Sequence, residues 1–594
     1  MQNPEAPRLV GAYRRILPEE ARRLVAGRVG PDLRRRIKLG LASAESTRER
    51  IRKTRAARKY GSHMVGPKRR VVAVDEAIRL ALAEDGMTPV RARRSNLRDV
   101  LSLLEAAGVE HFCVRGSSQT AAAVAVAASD RDTVLSELLK FCAVQPGYVA
   151  PVRRGQPADS DLYAVERSGA WRRIAGASVL RLVWYRTDPT GKLILGAAYG
   201  CDLEFWAEEA EEAEEAEEGG RLVSPRAGRV TDSVPVDGEV VEADESYFTD
   251  LVPRFGPVAE PVRVPTRAEF VARTTHQPDF PIDVVYTWVD GSDPDWQRKR
   301  ARHSGAAYHE EAANDARYLS RDELRYSLRS LHLYAPWVRT VYLVTDRQAP
   351  AWLNAEHPGI QLVDHRDVFQ DPSWLPTFNS HAIESQLHHI DGLSEHFLYF
   401  NDDVLLGRET TPGDFFFASG ISRFFPSPAL VPLGPVGDDD PPVAAAGKNN
   451  RRLIERSFGA VLVQKMKHMP HALNRSVLTE IEVRYADEYR ATAGSRFRSM
   501  DDLSITSSLH HYYAFHTGRA VPSNELLYNY VDLSREGAER RLGQLIAHRE
   551  RHVFCVNDTG STMADAEQQS ALLQGFLADY FPVPSPFERV QGEQ

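Results

Sequence analysis

A chain of 594 residues exceeds a single hydrophobic core and divides into about three or four units on the usual scale of domain size. With 42% apolar and 26% charged residues and a formal net charge of −8, it has the composition of an ordinary globular protein. No stretch of about eighteen apolar residues occurs, which excludes a bilayer-spanning helix, and the scattered Cys113, Cys142, Cys201 and Cys555 form no CxxC pair, which excludes a disulfide framework and favours a reducing compartment.

The opening MQNPEAPRLVGAYRR lacks an apolar core for a secretory signal, so a soluble cytoplasmic protein is expected. Residues 1–70 are basic (Arg34, Arg35, Arg36, Lys38, Lys68, Arg69, Arg70) and read as a solvated helical arm. Docking of that arm on anionic headgroups, making the protein peripheral at the inner face of the membrane, is its second reading. No nucleic-acid partner is expected.

Residues 71–223 read as an α/β accessory domain. A helix is expected around Ser95–Ala107, a strand at His111–Arg115, a helix at Arg131–Phe141, and strands at Val179–Tyr185, Leu193–Ala198 and Asp202–Trp206. The turn Gly116–Gln119 with Asp202 and Glu204 imitates a nucleotidyltransferase pattern, but one turn and two carboxylates do not define a site. Within this domain the run at 208–218, EEAEEAEEAEE, repels itself and reads as a solvated loop. Residues 224–277 have linker or edge-strand character.

From 278 to 594 the pattern alternates strand and helix, which predicts a doubly wound, mostly parallel sheet. Strand Ile282–Val285 breaks into the turn TWVDG, an arrangement suited to a nucleotide sugar at a strand's carboxyl end, with Thr287, Trp288, Asp290 and Gly291 as candidate contacts. Trp288 either meets the uracil or packs in the core. Ser320 to Glu323 reads as a cap for a helix with Leu324, Leu328 and Leu331 on one face, which also carries Arg325, a further candidate contact. Strands follow at Val338–Asp346 and Ile360–His365, then a helix near His381–His389 and a strand at His396–Asp403. The histidines between His381 and His396 are expected on helix surfaces, and no HxxxH set predicts zinc there. FLYFNDD, at 397–403, is a buried strand ending in Asp402 and Asp403, a pair able to hold a hard cation such as Mg²⁺ or Mn²⁺ against diphosphate oxygens, although adjacent acids also mark plain turns.

Four blocks occur in order: IDVVYTWVDGSDPDW; DELRYSLRSLHLYAP through HFLYFNDDVLLGR; KMKHMPHALNRSVLTEI with FRSMDDLSITSSLHHYYA; and HVFCVNDTG with YFPVPSPFE. Together they resemble the Stealth family of sugar-1-phosphate transferases, which includes bacterial capsule polysaccharide enzymes and the animal GlcNAc-1-phosphotransferase. The resemblance covers roughly the last half of the chain. It implies a GT-A-like or Rossmann-like catalytic domain, a UDP-hexose donor (often UDP-GlcNAc), a glycan acceptor and a divalent metal. It also implies that the family's essential acids fall on Glu384 and Asp403, its histidine on His468 and its arginine on Arg498. The sequence departs from the animal members where Asp290 stands in place of an Asn, and it lacks their cysteine-rich insertions, which argues against recognition of protein substrates.

Chemistry agrees with these assignments. Displacement at phosphorus needs alignment and neutralisation of spreading charge, so Asp403 is expected to hold the metal and Arg498 the phosphoryl oxygens, while His468 or Glu384 takes the acceptor's proton. Without the resemblance, His468 with His471 reads equally as interfacial, and Arg498 with Arg496, Asp501 and Asp502 as a surface ion-pair cluster. The expected reaction is transfer of hexose-1-phosphate with release of UMP in capsular or exopolysaccharide synthesis. A glycosyltransferase releasing UDP and a non-catalytic envelope-assembly module are the alternatives.

Overall fold

A computed structural model describes residues 68–589 apart from 75–76, 154, 166–167, 210–219, 228–229, 258–261, 305–320 and 559–562. The arm up to residue 67, the acidic run beyond Glu209 and Ser320 of the capping segment therefore lie outside the described residues. Among the described residues no helix is long and apolar enough to cross a membrane.

In the accessory domain, α1 (Pro89–Ala107) begins where Thr88 accepts the Arg91 N–H at 3.2 Å and Pro89 presets the first turn, and it ends at Gly108 with φ 66°. Its apolar stripe, Leu97, Val100 and Leu104, packs with Val134 and Leu138 of α2 (Arg131–Val144) over β1 (Ala122–Ala127), β2 (Val179–Val183) and β3 (Cys201–Glu209). Strand β3 lies parallel to β1 and antiparallel to β2. Asp202 and Glu204 on β3 are buried in ion pairs with Arg181 and Arg226, so they are neutralised inside the domain and form no open nucleotidyltransferase site.

The stretch 224–277 is more than a linker. Strands β4 (Val240–Asp244) and β5 (Arg263–Arg267) pair with each other, and β5 extends the accessory sheet by lying parallel to Phe112–Cys113, with Thr266 opposite Cys113. The reason is apolar burial: Ala243, Val264 and Phe270 enter the same core as α1, so Pro265 sits inside a sheet where sequence alone reads an edge.

Among the described residues the catalytic domain is built on a five-stranded sheet of β6 (Ile282–Thr287), β7 (Val341–Thr345), β8 (Ile360–Asp364), β9 (His396–Phe400) and β11 (His471–Asn474) in the order β8-β7-β6-β9-β11. All pairs are parallel except β9 with β11. Both faces are covered, as a parallel sheet requires. Val284 and Tyr286 point into a core with Leu324, Leu328 and Leu331 of α4 (Glu323–Tyr334), whereas Val285 joins Tyr399 and the helices of the opposite face. A smaller sheet places β10 (Val404–Leu406) antiparallel to β13 (Val553–Asn557), which lies parallel to β12 (Tyr528–Asp532). The chain runs from β6 outward to β7 and β8, then returns to β9 on the other side. That reversal between β6 and β9 is the switch point at which an open α/β sheet leaves a crevice.

Candidate active site

Strand β9 buries Phe397 to Phe400 and then ends, so Asn401, Asp402 and Asp403 emerge at the crevice beside Thr287 at the end of β6. Asp403 Oδ1 lies 3.0 Å from His468 Nε2, and its Oδ2 accepts the Cys555 thiol of β13 at 3.3 Å. Burial alone would raise the Asp403 carboxyl, but the His468 charge and hydrogen bond, with the Cys555 thiol, outweigh it and hold the group below its ordinary value. His468 moves the other way: burial would lower it, but Asp403, Glu384 and Asp402 raise it.

Asp402 is pushed up to about 8 by burial, then by the neighbouring charges of Glu323 and Asp403. Glu323 is pushed up to about 7, chiefly by burial, with Asp403 adding to the rise. The sequence reads Glu323 only as a helix cap. Its carboxylate does accept the Arg321 N–H at 2.6 Å, and Asp322 enters the helix with φ 65°, a left-handed conformation that a short polar side chain tolerates. The same turn brings Glu323 to Asp402. The charges of Glu323, Asp402 and Asp403 therefore oppose one another. Each Asp403 carboxylate oxygen carries one hydrogen-bond contact, and the ligand atoms of Asp403, His468 and Cys555 lie within 4.8 Å of one another.

Glu384 comes from α5 (Ser380–Ser385), which Asn379 caps by accepting the His381 N–H at 3.1 Å. Glu384 is buried and accepts Thr506 Oγ1 at 2.7 Å from a π-helical turn, Ile505–Leu509. It also adjoins the Tyr399 phenol, which lies 3.0 Å from Thr287 Oγ1. Arg498 donates to Ser380 Oγ at 3.0 Å, at the start of the same helix. Asp502 fixes that approach, since its Oδ2 accepts Asn379 Nδ2 and the Ser499 N–H, both at 2.9 Å, and lies 3.2 Å from His381 Nδ1. Asp502 is therefore the buried anchor of the arginine loop and no part of a surface ion-pair cluster.

In the TWVDG turn, Asp290 Oδ1 accepts the Ser292 N–H at 2.9 Å, while Gln348 binds the Asp290 backbone through both ends of its amide. Gly291 O accepts Gln297 Nε2 from α3 (Pro294–His303) at 2.9 Å. Trp288 packs in the core, with its Nε1 buried and without a hydrogen-bond partner. Arg325 is a correction. Two residues beyond Glu323, it lies on the opposite side of α4 and pairs with Glu588 at 2.6 Å, beside the Arg329–Glu588 pair, so it does not reach the crevice. His381 and His388 are likewise buried instead of lying on a helix surface. Cys555, Glu323, Thr506 and Tyr399 escape a reading by motif, and only HVFCVNDTG, a second strand ending in polar residues, hints at one of them.

Stealth protein conserved regions 1, 2, 3 and 4 match residues 280–306, 317–424, 467–515 and 544–594. An exopolysaccharide phosphotransferase of Streptomyces coelicolor is 54% identical over 607 residues, covering 99% of both chains. The chain belongs to the Stealth family. Exopolysaccharide phosphotransferase CpsY of Mycobacterium tuberculosis is 34% identical, covering 87% of this chain and 92% of CpsY. Among solved structures, galactosyltransferase LgtC with donor and acceptor sugar analogues is similar at 13% identity and a TM-score of 0.25, covering 50% of this chain and 96% of LgtC. This Stealth protein is a phosphotransferase, and its amino-terminal domain is shared with relatives over nearly the full chain.

Proposed function

We propose that this phosphotransferase moves hexose-1-phosphate from a UDP-hexose, with UDP-GlcNAc the expected donor, to a hydroxyl of a glycan acceptor in exopolysaccharide or capsule synthesis. The acceptor oxygen attacks the β-phosphorus, the bond from that phosphorus to the bridging oxygen breaks, and UMP leaves with the electron pair. The sugar C1–O bond stays intact.

The observation that carries this reading is the Asp403–His468 pair facing the carboxylates at the β6/β9 crevice. Asp403 accepts the His468 Nε2–H and so orients the ring, whose Nδ1 accepts the acceptor's proton. Glu384, held by Thr506, contributes the negative charge that favours the resulting imidazolium. Arg498 presents a planar guanidinium to the phosphoryl oxygens. Asp402, Asp403 and Glu323 would hold Mg²⁺ or Mn²⁺, which when bound neutralises diphosphate charge. The prearranged TWVDG turn suits the nucleotide end of the donor.

The deciding experiment incubates the purified protein with UDP-GlcNAc, a glycan acceptor and Mg²⁺ or Mn²⁺. UMP release and a phosphodiester signal in the phosphorus NMR spectrum of the product are expected. UDP release with a phosphorus-free product would overturn the reading in favour of glycosyl transfer.

A further inference from the structure

A second group of metal-binding side chains lies outside the crevice. Helix α5 runs into the turn Leu387–His389, which presents two adjacent imidazoles to α7 (Arg475–Arg484). His388 Nε2 lies 2.7 Å from Glu482 Oε2, and His389 Nε2 lies 3.2 Å from the same oxygen. The two rings are 4.0 Å apart at their centroids. Arg475 fixes the turn from behind by donating Nε to the His388 carbonyl at 2.9 Å.

Hydrogen bonding accounts for only half of this arrangement. The His388 contact has hydrogen-bond geometry, whereas His389 Nε2 is buried, close to the carboxylate and makes no hydrogen bond. In its Nε2–H tautomer each imidazole can donate to this oxygen, yet the His389 contact lacks hydrogen-bond geometry; with Nε2 deprotonated, the two nitrogens and the carboxylate oxygen converge as three metal ligands.

The ligand atoms lie within 4.8 Å of one another, compatible with an ion at about 2.0–2.2 Å from each after small side-chain adjustments. Two imidazoles with one carboxylate suit zinc, whereas Ca²⁺ and Mg²⁺ take oxygen ligands. Exposure is graded: the His388 side chain is 2% exposed, His389 19% and Glu482 27%, so the site has a buried wall and an open rim for ion entry. We propose that His388, His389 and Glu482 form a zinc site that clips the turn after α5 to the end of α7. Helix α5 carries Glu384 and meets Arg498, so the clip stiffens the backbone behind both.

The test uses the full chain, stripped with chelator and titrated with Co²⁺ or Zn²⁺. Cobalt at this site should give visible d–d bands without thiolate charge transfer, because its ligands are nitrogen and oxygen. Zinc should raise the thermal unfolding midpoint. His389→Asn and Glu482→Gln, both at the open rim, should each weaken zinc binding roughly 100-fold or more, given that outer-shell changes alone cost ~10–100-fold. Both should abolish the zinc-dependent rise while leaving the circular dichroism spectrum unchanged. The proposal is overturned if the wild-type chain takes up neither metal, if both variants titrate as the wild type does, or if the cobalt spectrum is dominated by thiolate charge transfer, which would assign the ion to Cys555.

Discussion

At the residue scale the proposed mechanism rests on a few side chains that the crevice brings together. Arg498 donates to Ser380 at the start of α5, and in the proposed mechanism its other N–H groups meet the phosphoryl oxygens. Arg498→Ala should lower kcat by about 10²-fold or more, the scale for loss of a transition-state charge stabiliser, with a smaller change in KM. Steady-state kinetics would check this, and a change confined to KM would assign Arg498 to ground-state binding. For His468, the raised pKa sets the sign of the pH profile. A base must be neutral to accept a proton, so kcat/KM should climb with pH through an acid limb lying above 6.5, the ordinary histidine value. A limb below 6.5 would remove His468 as the base. The sequence exposes His468 and Asp403 as separate candidates because each lies in a distinctive block. It hides their partnership, since 65 residues separate them and the third member, Cys555, lies a further 87 residues along the chain beyond His468 (555 − 468).

At the element scale, the least regular turn sits against a candidate catalytic carboxylate. The π-helical turn Ile505–Leu509 aims Thr506 at Glu384, and π-turns are commonly found at functional sites. Thr506→Val preserves shape but removes the donor, and should cost about 1–3 kcal/mol of stability, as expected for an unsatisfied buried acceptor, together with turnover. Thr506→Ser should retain most of both. Urea unfolding and kcat measured on the two variants would check this, and equal behaviour would reduce Thr506 to packing. The regular elements are legible: β6 follows from β-branched Ile282, Val284 and Val285, β9 from the aromatic and apolar run Phe397–Phe400, and α4 from the Leu324, Leu328, Leu331 stripe. The helix read over His381–His389 proves to be the shorter α5 and a separate turn, because Asn379 caps one and Gln386 leads into the other. Strands β4 and β5 were not legible as sheet members, since their stabilisation comes from a core more than 100 residues earlier in the chain.

At the scale of the whole molecule, buried histidines tie the catalytic domain to neutral pH. Burial pushes His471 and His510 down to about 3 and His511 well below its ordinary value. Unfolded histidines bind protons near 6.5 and these folded ones do not. The stability they contribute is therefore present above 6.5 and lost as pH falls toward 3, at roughly 1.4 kcal/mol per pH unit for each residue. The thermal midpoint should fall steeply between pH 6.5 and about 5, where the unfolded state gains those protons. A midpoint unchanged over that range would show the histidines to be accessible to protons in the folded state. The two domains also share apolar packing, since Met87, Ala92, Leu193 and Leu195 of the accessory domain lie in one cluster with Leu328 and Leu331 of α4. This shared core is not legible in the sequence, because nothing in a periodic pattern says which surface a stripe will meet.

The pairing of β10 with β13 also sets an order of events during synthesis. The crevice acids are made first, whereas the Cys555 thiol follows Asp403 by 152 residues and the Glu588 carboxylate that braces α4 follows it by 185 (588 − 403). Until then the Asp403 carboxylate has no thiol partner and α4 has no carboxylate brace. The Asp403 thiol contact and the α4 brace are thus assembled only after the accessory domain and the crevice acids have been made.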